Sequence, residues 1–171
     1  FNTKTLDNVS LPAADRTALS AFQQKIGKLQ SAIRTMNNVL SKTSQELGEM
    51  SAAVQGIKTE NSTILKEIIV VEDKIKILQR KINGDRLANR LDVDLPPSIS
   101  DRVNRAAYGV LSSTSAPTYT QRDAYSIAYD EFQPLLEELK TILEKDVKNI
   151  LDTMNRSGAP YTLNRIPKLD D

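Results

Sequence analysis

Histidine, cysteine and tryptophan are all missing from the 171 residues. Without histidine the chain has no imidazole to act as general base or metal ligand. Without cysteine it has no thiol nucleophile, disulfide or thiolate metal site, and its redox compartment is left open. Without tryptophan, a sugar-stacking platform would depend on tyrosine or phenylalanine, and those make up only 5% of the residues. Glycine-rich phosphate loops are absent, as are calcium-type acidic loops; Asp92-Val93-Asp94 is too little for one. Apolar runs all fall far short of the roughly 18 residues that cross a bilayer. Basic and acidic residues balance at 23 against 22, so no overall field draws the chain to nucleic acid or anionic lipid. There is no signal-peptide pattern, and the opening Phe1-Asn2-Thr3 reads as a piece of a longer protein whose address is written elsewhere.

Periodic apolar residues are abundant. The series Leu19, Phe22, Ile26, Leu29, Ile33, Met36, Leu40, Thr43, Leu47, Met50, Val54, Ile57 alternates steps of three and four, and Thr43 is its one polar member. That beat is the seam of a helix packed lengthwise against other helices. It predicts a first helix from Ala13 to about Thr59, a rod of roughly 65–70 Å. Beside the seam, Ala18, Ala32, Val39 and Ala53 add a third apolar column, while the opposite flank is polar but mostly uncharged. A face that wide suits a helix touching two neighbours of its own chain rather than a dimeric coiled coil. The isolated chain is therefore expected to be a monomer.

A turn is expected at Lys58–Ser62, then a second helix from Ser62 to Asn83, stopped by Gly84. Its inward residues are Ile64, Ile68, Val71, Ile75, Leu78 and Ile82, with Ile69 and Val70 broadening the face. In the linker Asp85–Pro97, Leu87, Leu91, Val93 and Leu95 suggest anchoring to the bundle. A third helix starts at Ser98, with Asp101 as capping partner, and points Ile99, Val103, Ala106 and Val110 inward. A polar connection follows, Ser112 to Pro117. Thr118 with Gln121, or Thr120 with Asp123, caps a fourth helix that ends near Arg156 and Gly158. Its core face is read as Tyr125, Ala128, Phe132, Leu135, Leu136, Leu139, Leu143, Val147, Ile150 and Met154, with a kink at Pro134. The fold class is all-α: one domain over residues 1–171, an antiparallel bundle of four long helices with an extended lead-in (1–11) and an extended tail (159–171). Tyr161, Leu163, Ile166 and Leu169 could pack that tail along the bundle. Two topologies fit the lengths: the second and third helices stacked end to end as one of three rods, which matches the rod lengths better, or four helices up and down.

Candidate chemistry is thin. Asp130-Glu131 and Glu137-Glu138 are adjacent acidic pairs, but successive helical residues point about 100° apart, so neither pair faces itself across a glycosidase-type cleft. The reading is no catalytic residues, no cofactor and no metal. Basic residues gather between Lys74 and Arg105, acidic ones between Asp123 and Asp146, and intramolecular pairing or plain solvation explains both better than nucleic-acid binding. Tyr108, Tyr119, Tyr125 and Tyr161 form a candidate docking patch, the plainer reading being core or junction packing.

The strings SISDRVNRAAYGVLSSTSAPTYTQRDAYSIAYDEFQPLLEEL (Ser98 to Leu139) and GAPYTLNRIP (Gly158 to Pro167), with INGDRLANR (Ile82 to Arg90), resemble the C-terminal helical region of bacterial sortilin-like, BNR-repeat β-propeller proteins often labelled glycosyl hydrolases. The match is most specific at the Ser-Thr-Ser-Ala-Pro-Thr turn. The resemblance implies a parent exported to the periplasm, envelope or exterior, with its propeller upstream of Phe1 as the partner of this segment. The Asp-box repeats of that family (Ser-x-Asp-x-Gly-x-Thr-Trp) are absent here, so no catalytic residue carries over. Three readings follow: a non-catalytic C-terminal structural or interaction module; an accessory part that completes or covers the cleft of a glycoside-hydrolase-like enzyme; and a free coiled-coil adaptor. None involves nucleic acid or membrane insertion.

Overall fold

In the computed structural model the described residues are 12–55, 61–111, 115–160 and 162. All regular structure among them is helical. Helix α1 spans Ala13–Gln55, α2 Asn61–Asn83, the short α3 Arg86–Arg90, α4 Ile99–Leu111 and α5 Tyr119–Thr141; a π-helical segment, Ile142–Val147, then joins α5 to α6, Lys148–Arg156. The turn after α1, the lead-in and most of the tail lie outside the described residues.

The α1 seam is buried as its spacing requires: Phe22, Ile26, Leu29, Ile33, Met36, Leu40, Leu47, Met50 and Val54 are all inside, and so is Thr43. Leu19 packs half-buried at one end, and Ala32, Val39 and Ala53 of the third column flank the core. Each fully buried side chain of this size is worth about 1.5–3 kcal/mol over exposure.

Three ion pairs fix the topology. Lys74 meets Asp146 at 2.6 Å, Lys81 meets Glu138 at 3.5 Å, and Arg102 lies 3.6 Å from Glu131 without a hydrogen bond. Going down α2 and on into α4 therefore means going steadily back up the third rod. The Asn37 and Asn83 side-chain amides bond each other reciprocally at 3.1 and 2.9 Å, which sets the end of α2 against the middle of α1. Ser100 Oγ donates to Asn83 Oδ1 at 3.4 Å, so α4 resumes where α2 stops. The bundle is three antiparallel rods: α1; α2 and α4 stacked; and α5 running through the π segment into α6. The basic stretch and the acidic stretch of the sequence face each other across the last two.

Local signals account for the helix ends. Ser98 and Asp101 bond each other's backbone amides at the start of α4, at 3.2 and 3.1 Å. Thr118 and Gln121 form the same reciprocal box at the start of α5. Such caps satisfy amides that the first turn leaves unpaired. Gly84, with φ +81°, ends α2.

Several expectations need correction. Ile69 and Val70 are exposed and do not widen the α2 core face. The linker residues Leu87, Leu91, Val93 and Leu95 are also exposed, and α3 forms among them because the Asp85 carboxylate accepts from the Leu87 and Ala88 amides. Leu136 and Leu143 sit at the surface, and Ile142 takes the core position assigned to Leu143. The reason is the π segment. Core residues on the third rod run Ala128, Phe132, Leu135, Leu139, Ile142, Val147, Ile150, Met154. The step from Ile142 to Val147 is five residues rather than three or four. One wider turn absorbs the extra residue and returns Val147 to the seam. The ion pairs show the same surplus: seven residues from Lys74 to Lys81 span eight from Glu138 to Asp146. The helix continues through Pro134.

Candidate interaction surfaces

The four tyrosines of the candidate patch do not share one environment. Tyr108, near the end of α4, and Tyr119, at the start of α5, are 77% and 76% exposed. Antiparallel α4 and α5 bring them to the same end of the bundle. Tyr125 belongs partly to the core: its ring meets Phe22 edge-on at 5.6 Å and stacks on Tyr129 at 6.0 Å. Burial pushes its phenol above the ordinary value, and the neighbouring Tyr129 adds to the rise. Tyr161 lies outside the described residues. Sequence reasoning missed Leu111, which is 78% exposed at the end of α4. Its signal was available: Leu111 follows the inward Val110, so it points about 100° away from the core.

Contacts among the described residues hold α4 and α5 together at this end. Pro117 is buried, and the Arg122 guanidinium donates to its carbonyl. A Cβ added at Gly109 would meet Gln121 Nε2 at 2.4 Å, so glycine lets α4 approach the capping box of α5 closely. The exposed Tyr108, Leu111 and Tyr119 are thus presented by the closely packed ends of α4 and α5.

A second apolar surface is the strap between α2 and α4, where Leu87 and Leu91 stand a helical turn apart and are about two-thirds exposed. A third is a groove of about 560 Å³ between α2 and the third rod. Ile77, Leu78, Pro134 and Ile142 form its apolar floor, and Lys74, Glu137, Glu138 and Asp146 line its walls.

The carboxylate pairs are split between different tasks. All four are exposed; Glu131 faces Arg102 and Glu138 faces Lys81. Among the described residues no three Asp or Glu side chains converge as a metal cluster, and no helix is long and apolar enough to cross a membrane. A scan of protein-family models, a search of curated proteins and a search of solved structures each returned no match.

Proposed function

We propose that this chain is a non-catalytic interaction module, the helical C-terminal part of an exported bacterial β-propeller protein, docked on its parent through the end that carries Tyr108, Leu111 and Tyr119. The observation that carries the reading is the contrast at that end. Three large side chains are more than three-quarters exposed on a corner whose backbone is capped and closely packed. Exposed tyrosines on a closely packed support are typical anchors of protein interfaces, where one ring end is apolar and the hydroxyl still finds a partner. The parent and its export rest on the resemblance of Ser98–Leu139 and Gly158–Pro167 to the sortilin-like propeller proteins. The non-catalytic part rests on the absence of histidine and cysteine and on carboxylates engaged with lysine and arginine.

Hydrogen exchange on the intact parent and on the isolated chain tests it. Docking predicts extra protection of amides 104–111 and 118–125 in the parent, lost when Tyr108 and Tyr119 are both changed to Ser. Identical exchange in the two forms, with independent tumbling, would overturn it. Turnover of the parent with and without this segment separates a docking module from one that completes a hydrolase cleft. The isolated chain should have the mass of a monomer in solution.

A further inference from the structure

The groove beside the π segment has an apolar floor on the flank of the third rod, and nothing in the bundle core accounts for it. Two irregularities border it, the proline at 134 and the extra residue absorbed within Ile142–Val147. Ile77 remains 48% exposed on its floor. Its walls carry three carboxylates, Glu137, Glu138 and Asp146, against one ammonium, Lys74. Lys74 is taken by Asp146 and Lys81 by Glu138, and Glu137 has no ion pair among the described residues. The groove therefore suits an extended segment with apolar side chains and a cation for Glu137 beside them.

The chain itself supplies such a segment. At the end of α6, Gly158 takes φ +68° and the Ala159 amide returns to the Met154 carbonyl at 3.1 Å. This glycine turn reverses the chain off the helix end. Ala159 is buried, and Thr162 is half-buried with its hydroxyl oxygen occluded and unbonded. The described chain thus leaves the helix turned against the bundle. Leu163, Ile166 and Leu169 follow, with Arg165 and Lys168 between them. From Ala159 back to Ile142 is about 25 Å along the rod at helical rise. Fully extended, the chain from Ala159 reaches about 25 Å at Ile166 and about 35 Å at Leu169.

We propose that the groove is the seat of the chain's own C-terminal segment, with Leu163 on the way to it, Ile166 and Leu169 over Ile142 and Ile77, Arg165 beside Asp146 and Lys168 toward Glu137. The rival occupants are a second copy of the chain and solvent alone.

The absence of native cysteine makes the test direct. Thr141→Cys places one thiol on the groove wall, and Gln24→Cys places a control thiol on the outer face of α1. In the full chain the thiol at 141 should react with a small maleimide at least tenfold more slowly than after Leu163→Asp, Ile166→Asp and Leu169→Asp are added. The rate at 24 should not change, and circular dichroism should report the same helicity in all forms. Arg165→Glu with Lys168→Glu should raise the rate at 141 in the same direction, and so should high salt, because exposed charge pairs are screened. Equal rates at 141 with and without the tail substitutions would overturn the proposal. So would protection at 141 that grows with protein concentration, since that outcome assigns the groove to a second copy.

Discussion

The first and third rods run in the same direction along the bundle and solve the same packing problem differently. In α1 the three-four beat is unbroken from Phe22 to Val54, and 43 residues form one uninterrupted α-helix. In the third rod the beat holds from Ala128 to Ile142, slips by one residue, and resumes at Val147. A seam does not have to be perfect to be buried end to end. One surplus residue can be stored as a π turn, provided the turn lies on a face that can open, and the groove beside Pro134 and Ile142 is that opening.

The sharpest way to break the comparison is to delete one exposed residue from each rod. Removing Lys42 rotates everything after it by about 100° relative to the seam before it. Leu47, Met50 and Val54 then leave the core, and loss of the cooperative unfolding transition is expected. Removing Lys145 shortens the step from Ile142 to Val147 to four and makes the third rod regular. That variant should stay folded within about 1 kcal/mol of the parent chain, near the centre of the range for single changes, because no core side chain is displaced. Equal damage from both deletions, by chemical denaturation, would mean that the π segment is not where the surplus residue is held.

Single core truncation comes next in size. Phe132, fully buried on the regular part of the third rod, should cost about 3–5 kcal/mol as Phe132→Ala, and Leu40→Ala in α1 about 2–5 kcal/mol. Gln24→Ala, on the outer face, should stay within about 0.5 kcal/mol.

Gly109→Ala is smaller and local. The new methyl meets Gln121, whose side-chain oxygen accepts from the Thr118 amide at 2.9 Å. The glutamine side chain must shift, which strains its bond to the Thr118 amide, so a loss of up to about 1 kcal/mol is expected, the net worth of one hydrogen bond. Adding Gln121→Ala should remove most of the difference between Gly and Ala at 109.

The smallest effect is a pH dependence at Tyr125. Its phenol is raised above the ordinary tyrosine value, first by burial and then by Tyr129. The folded chain therefore holds this proton to higher pH than the unfolded chain does. The resulting stability is complete below the unfolded value and is lost as pH rises through the folded one. Tyr125→Phe should flatten the fall in stability above about pH 10, the ordinary range for phenol ionisation. An unchanged alkaline slope would show that the ring edge at Phe22 does not shield the hydroxyl.

Regular periodicity made the fold class legible, and capping chemistry made two helix starts legible. The α1 seam, the α2 inward residues and Ser98 with Asp101 could be read directly from the sequence, while Thr118 with Gln121 was one of two caps that the sequence offered for α5. The linker leucines could not, because hydrophobicity alone does not say whether a short segment turns inward or outward. Asp85 as a cap was a usable signal for α3 that the sequence reading passed over. Leu143 was misplaced for a more specific reason. Spacing of four from Leu139 and four to Val147 looks regular on paper, and only packing reveals that Ile142 is the better fit before a wider turn. For the interaction surfaces the number of tyrosines was legible and their environments were not: Tyr125 faces Phe22, which lies a hundred residues away in sequence.

The arrangement of α2 and α4 as one broken rod carries the whole account, since it places the tyrosine corner at one end of the bundle and the π groove toward the other. A distance between spin labels at Lys66→Cys and Arg105→Cys measures it directly. In the stacked rods the two sites are separated by most of α2 and half of α4, which gives about 35–40 Å at helical rise. A distance of about 20 Å or less, the value expected if α4 folded back beside α2 with an axial offset of about 16 Å and axes about 8–10 Å apart, would contradict the three-rod bundle.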